Sequence, residues 1–163
     1  MKGNEMKGTA FNLKEDLGDW FDFFESSVDI KTGEITYDDP IPETGKARFR
    51  SSAQFVRDQM AKRAKESEYV LNTSTRAMDR NTHYKDMTPE EEQKRRDDAI
   101  DHSITGLKDF YDMEGNPIEC TRENKLLLIL APVFDRFMAR CLELQLNAKT
   151  ARVKVAEKNS KTP

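Results

Sequence analysis

The 163 residues include only two cysteines, Cys120 and Cys141, and only two histidines, His83 and His102. Two thiols cannot build a disulfide framework. Neither histidine stands at ligand spacing from a cysteine, so no metal site is expected. No Gly-rich phosphate cradle of either common pattern is present, and no cofactor is expected. Long apolar runs are missing too. The longest, Leu126 to Phe134, is about half of what a membrane helix requires. No secretory signal opens the chain, so a cytoplasmic protein with reduced thiols is expected. Net charge is only -3, which gives no global attraction to nucleic acid. Apolar residues, at 36%, barely exceed charged ones at 35%. That balance implies a small core and a part of the chain that is loose or waits for a partner.

The charge that is present is unevenly placed. Lys14 to Glu43 holds ten carboxylates against Lys14 and Lys31. The tail after Ala148 carries Lys149, Arg152, Lys154, Lys158 and Lys161 against Glu157 alone. An acidic front and a basic tail favour solubility and electrostatic steering.

Three regions are expected: a disordered start over 1–10, one small domain over 11–147, and a disordered basic tail over 148–163. Met1 and Met6 are both candidate starts. Asp19 to Glu25 reads DWFDFFE, which suits a strand from Trp20 onward. It pairs in expectation with EITY, closing a hairpin at Lys31-Thr32-Gly33. A short helix over Leu13 to Phe24 is the competing reading, since its apolar residues also fit helical spacing. Ala47 to Arg50 can add a third strand. A helix should begin near Ala53 and fade near Ser67. Tyr69 to Asp86 reads as a polar loop or weak hairpin, with NTST as its turn.

Thr88-Pro89-Glu90-Glu91 is a capping box with proline at the first helical position, and predicts a helix to about Thr105. Glu114-Gly115-Asn116-Pro117 is a turn. Thr121 should cap a helix, apolar on nearly all sides, that is either central or in an interface. Pro132 should kink or restart it. Beyond it Phe134, Phe137, Met138 and Cys141 lie on one helical stripe. The expected fold is α+β but mostly helical, with a small N-terminal antiparallel β element packed on three to four helices.

No reactive constellation stands out, and no catalytic residues are expected. Asp98 and His102 are four apart on a helix, the spacing of a surface ion pair. Cys120 precedes a helix N-terminus, where the dipole lowers a thiol pKa, and with His102 could be imagined as nucleophile and base. No third member supports that pair. Arg57, Lys62, Arg63 and Lys65 form an interrupted basic helix face, with Phe55 and Tyr69 able to stack on bases. The aromatics Trp20, Phe21, Phe23 and Phe24 are dense enough to supply both core and an exposed anchor.

The stretch AIDHSITGLKDFYDMEGNPIECTRENKLLLI is more specific. Its features are Ala99-Ile100, Gly106 to Phe110, Asp112 with Gly115 to Ile118, and Thr121 to Lys125. Over Ala99 to Leu142 the chain resembles small tail assembly chaperones encoded in phage and prophage tail-gene clusters. The resemblance implies a non-enzymatic protein that binds a tape-measure or tail-tube protein. The extra Tyr69 to Asp86 segment departs from the shortest such proteins. The residues expected to meet the partner are Trp20, Phe21 and Phe24 at the front. Leu127, Leu130, Phe134, Phe137 and Met138 are expected to do so on the C-terminal face. The alternative is a small nucleic-acid-binding regulator using the Arg57 to Lys65 helix and the basic tail.

Overall fold

The structure is a computed structural model that describes residues 8–11 and 13–160. In chain order the elements are β1 (Asp19–Asp22), β2 (Ser26–Val28), β3 (Ile35–Tyr37), β4 (Lys46–Phe49), α1 (Ala53–Ala61) and β5 (Lys65–Leu71). They continue with β6 (Met78–Tyr84), α2 (Pro89–Ser103), β7 (Ile104–Lys108), α3 (Arg122–Ile129) and α4 (Pro132–Ser160). The expected start over 1–10 lies largely outside the described residues, and both candidate starts, Met1 and Met6, do so entirely.

The core forms where one helix lies on one face of a three-stranded antiparallel sheet. Strand order is β1-β4-β7, with β4 in the middle. Alternation along β4 turns Ala47 and Phe49 inward, both fully buried, and leaves Lys46 and Arg48 on the other face. Helix α4 presents Phe134, Phe137, Met138 and Cys141 to that inner face. Their spacing of three, one and three places all four on one stripe. Phe24 and Ile104 complete the buried set. Gly18 lets the chain enter β1 at close quarters. Its φ is 88°, and a Cβ there would sit 1.8 Å from the Phe49 carbonyl oxygen.

A mostly helical fold is corrected by this architecture. Among the described residues four helices account for 40%, and seven strands in three small sheets account for 23%. β7 was missed, and the segment read as a loop or weak hairpin over Tyr69 to Asp86 is a hairpin that starts earlier, at Lys65. β5 and β6 have no buried face, so they carry little hydrophobic signal. β7 follows α2 directly, and its Ile104 extends the helical stripe in sequence while adopting ψ 105° in space. The aromatic strand is real, but its partner differs. β1 pairs with β4, whereas β3 pairs with β2. The Asp29–Gly33 turn closes the shorter hairpin, with Gly33 N–H donating to the Asp29 carbonyl at 2.7 Å.

Helix ends follow local chemistry more faithfully. Thr88 Oγ1 accepts from the Glu91 N–H, and the Glu91 carboxylate accepts from the Thr88 N–H, both at 3.2 Å. Thr121 caps α3 through the Asn124 N–H at 3.3 Å. Pro132 restarts the helix: α3 ends at Ile129, and α4 begins at the proline. Helix α1 stops at Ala61, short of Ser67, because Lys65 and Glu66 enter β5. The segment from 148, expected as a disordered tail, continues α4 as exposed helix to Ser160. The alanines, lysines and arginine of residues 148–160 propagate a helix, and that stretch contains neither glycine nor proline. Residues 161–163 lie outside the described part. No helix among the described residues is long and apolar enough to cross a membrane.

Phe137→Ala should cost about 3–5 kcal/mol, as the truncation of a fully buried aromatic does. Leu127→Ala, on the solvent side of α3, should stay within about 0.5 kcal/mol. Denaturant melts of both variants check this, and equal losses would contradict the placement of α4 on the sheet.

Candidate functional site

The densest polar cluster lies where α1, α2, α3 and the end of β4 meet. Positions four or three apart on α2 bring Lys94, Asp98, Asp101 and His102 to one side. The Thr121 cap starts α3 so that Arg122 and Lys125 face them. Arg50 arrives from the residue after β4. All of these but Lys94, together with Phe55 and Gln59, line a cavity of about 360 Å³.

Each charge in the cluster is matched. Asp98 receives Lys94 Nζ and Arg122 Nη2, both at 2.8 Å. The Lys94 hydrogen bond, with help from Arg122, holds the Asp98 carboxyl below the usual carboxylate range, and partial burial opposes them. Lys125 is buried and donates to the Asp101 carbonyl and carboxylate, each at 3.0 Å. Arg50 Nε donates to the His102 carbonyl at 2.7 Å, and the same guanidinium pairs with Glu15. A buried cation needs such partners, and here it has them.

His102 does not form the surface pair with Asp98 that its spacing suggests. Its ring stacks on Phe55 at 4.2 Å, with planes 10° apart. Its Nδ1 lies 3.2 Å from Arg50 Nη2. Arginine can only donate, so Nδ1 accepts, and the neutral ring carries its proton on Nε2. Burial, followed by the Arg50 charge, lowers the His102 pKa. The ring is therefore neutral with no free basic nitrogen. Cys120 is likewise not activated. Although the residue is exposed, partial burial of its thiol pushes the pKa up, outweighing the Lys125 and Arg48 charges. The Cys141 thiol is pushed up to about 12 by burial in the core. The imagined nucleophile and base thus have neither an activated thiol nor an available nitrogen. Among the described residues no group of three or more His, Cys, Asp or Glu side chains could hold a metal ion. The cluster fastens α2 to α3 and β4.

The partner-binding candidates separate into two groups. Phe24, Phe134, Phe137 and Met138 are buried, so they hold the core and cannot meet a partner directly. Phe21 is half-buried, with its ring 6.2 Å from that of Phe49. Trp20, Leu127 and Leu130 remain exposed, at 46%, 59% and 75%. Trp20 lies on the outer face of the sheet, with the Arg48 guanidinium 5.0 Å from its ring centroid. Gly106 makes room for it, since a Cβ there would come within 2.7 Å of the indole.

The proposed basic helix face does not exist as such. Arg57 lies on α1 and donates to Gln54 at 2.8 Å. Arg63 follows the helix and donates to the Lys85 carbonyl, and Lys65 opens β5. Phe55 is already covered by His102. The sequence reading missed the exposed apolar side chains Leu71, Met78 and Tyr84. The apolar run Tyr69-Val70-Leu71 was the available signal. The chain matches no family model, no curated protein and no solved structure.

Neutral His102 has a consequence for stability. In the unfolded chain the ring protonates near its ordinary 6.5, whereas in the folded chain it does so only lower. Just below that value the unfolded chain binds more protons, so stability falls as pH is lowered. Between roughly pH 7.5 and 5.5, the wild type should lose more melting temperature than His102→Gln. Parallel curves would contradict the assigned state. Asp98 acts in the same direction but at lower pH. Its stabilisation is present above its ordinary 3.8 and is lost as pH falls through the depressed value.

Proposed function

We propose that this protein is a phage-tail type assembly chaperone or adaptor, acting in the host cytoplasm and holding a tape-measure or tail-tube protein by apolar contact. The observation that carries this reading is α3. Leu127 on α3 and Leu130, the residue that caps its C-terminus, stand one turn apart on the same side and are both exposed. In a chain so rich in charge, leucines kept in water on an ordered helix favour a binding role. Lys125, on the other side of the same helix, is buried and tied to Asp101, which fixes the rotation of α3. The leucines are thus presented by a rigid element.

Trp20 supports the same reading as a second anchor. Tryptophan and arginine supply much of the energy of protein interfaces, and here they are stacked on an exposed sheet face. The buried phenylalanines of α4 act from beneath by holding α3 and the sheet in place. The resemblance over Ala99 to Leu142 supplies the kind of partner. Its motifs fall on the end of α2, β7, the Asp112 turn, α3 and the first half of α4.

The test is co-expression of the tagged full chain with the tail genes of the phage that carries it. A tail protein should be recovered and should survive a wash at about 0.3 M salt, because apolar burial resists screening. Leu127→Asp with Leu130→Asp should abolish recovery while leaving the melting temperature unchanged. Neutralising Arg57, Lys62, Arg63 and Lys65 should leave recovery intact. Nucleic acid retained at low salt and released by that neutralisation would replace this reading with a regulator.

A further inference from the structure

A second cavity, of about 260 Å³, adjoins the polar cluster. Its walls are the end of α1 with the turn after it, the link from β6 to α2, and one side of the first half of α2. The β5–β6 hairpin leaves from this place and returns to it. The Lys85 N–H donates to the Ala64 carbonyl at 2.8 Å, and Arg63 Nη2 donates to the Lys85 carbonyl at 2.6 Å. Those two bonds fix the wall that carries Lys85. Cavities for drug-sized ligands begin at about 300 Å³, so this one suits a smaller molecule.

Arg95 of α2 lines this cavity and is half-buried. Its Nε is enclosed and has no hydrogen-bond partner. Among the described residues it is the one buried side-chain nitrogen or oxygen left in that state. A buried donor without an acceptor is costly, and a charged one more so. Other inward-turned cations of this molecule are matched. Lys125 has the Asp101 carboxylate at 3.0 Å, and Arg136 has the Ser26 hydroxyl at 2.6 Å. No carboxylate of the described residues stands within ion-pair distance of Arg95.

Most carboxylates of the lining are engaged elsewhere. Asp98 holds Lys94 and Arg122, and Glu91 accepts the Thr88 N–H of the helix cap. Asp86 is the remaining one. Against it stand Arg95, Lys85 and Arg63, none of them in an ion pair with the described residues. Arg63 instead lies over the Tyr84 ring, 5.3 Å from its centroid. The cavity therefore favours a negative guest. Met60 and Met87 supply an apolar part of the wall, and methionine adapts to the shape it meets.

We infer that this cavity binds a small organic anion, with its carboxylate or phosphate on Arg95 and Lys85 and its apolar body against Met60 and Met87. A guanidinium takes an oxyanion through two parallel N–H groups, and Nε with a neighbouring nitrogen makes such a fork. The oxyanion supplies both the acceptor and the countercharge that Arg95 lacks. An Asp86 carboxylate that swung onto Arg95 would be the competing partner, and the test separates the two. The site does not depend on the tail-partner reading, which rests on α3.

The test is titration of the purified full chain with phenyl phosphate and with benzoate, read by calorimetry and by amide shifts. At least one should bind and move the amides of Lys85 and Arg95, and the stronger of the two names the anion. Benzyl alcohol, which lacks the charge, and inorganic phosphate, which lacks the apolar body, should bind roughly ten-fold more weakly or less. Arg95→Met keeps the stem and removes the charge, so it should weaken binding by roughly ten-fold or more. Without any anion it should leave the melting temperature unchanged or raise it, because an unsatisfied cation is gone. Asp86→Asn should tighten binding, and Arg57→Met, outside the lining, should change nothing. Failure of both anions to bind overturns the inference, as does binding that Arg95→Met leaves intact. A melting temperature lowered by Arg95→Met and by Asp86→Asn alike would mean that the two residues pair, and overturns it as well. Equal binding of the alcohol would reduce the site to an apolar cavity and do the same.

Discussion

The packing of Phe137 is the contact on which the rest of the molecule depends. Its ring is fully buried, with the centroids of Phe23, Phe24, Phe49 and Phe134 at 5.1, 4.9, 5.4 and 5.8 Å. All four contacts are edge-on, the arrangement that aromatic quadrupoles favour. These rings come from the chain after β1, from β4 and from α4, which are far apart in sequence. One side chain therefore sets where the sheet lies, how α4 crosses it and which side of β4 is the inside.

So small a core leaves most of the chain to be organised by polar contacts. The Asp98, Asp101, Arg122 and Lys125 network holds α2 against α3. Arg50 and Phe55 hold His102 in a neutral state that suits structure better than chemistry. With both helices pinned, the apolar residues that found no place inside stand on rigid supports. Trp20 lies on the outer sheet face, Leu127 and Leu130 on α3, and the tyrosines and aliphatic residues on the β5–β6 ribbon. The division is physical. Buried aromatics hold the scaffold, and exposed ones, spread over several elements, are available to other molecules.

The sequence-level reading succeeded where a few neighbouring residues decide the outcome. The Thr88 and Thr121 caps, the restart at Pro132, the turn at Lys31-Thr32-Gly33 and the α4 stripe each rest on contacts within about one or two helical turns. It also identified the aromatic segment as a strand. It failed on that strand's partner, on β7 and on overall helicity. Pairing of β1 with β4 joins residues far apart in the chain, and nothing local ranks it above pairing with β3. The candidate site was half legible for the same reason. Leu127 and Phe134 look alike in sequence, and only their position relative to the sheet makes one a surface and the other a core.

By itself, the sequence determined the charge balance, the absence of disulfide and phosphate-cradle patterns, the helix starts and the small size of the core. These follow from composition and from short-range hydrogen bonding. Tertiary structure alone decided which hydrophobic residues remain in water, the tautomer of His102 and the enclosure of Arg95 Nε without an acceptor. Each of those depends on which distant segment arrives beside a residue, through burial or a donor such as Arg50. No local pattern encodes that arrival.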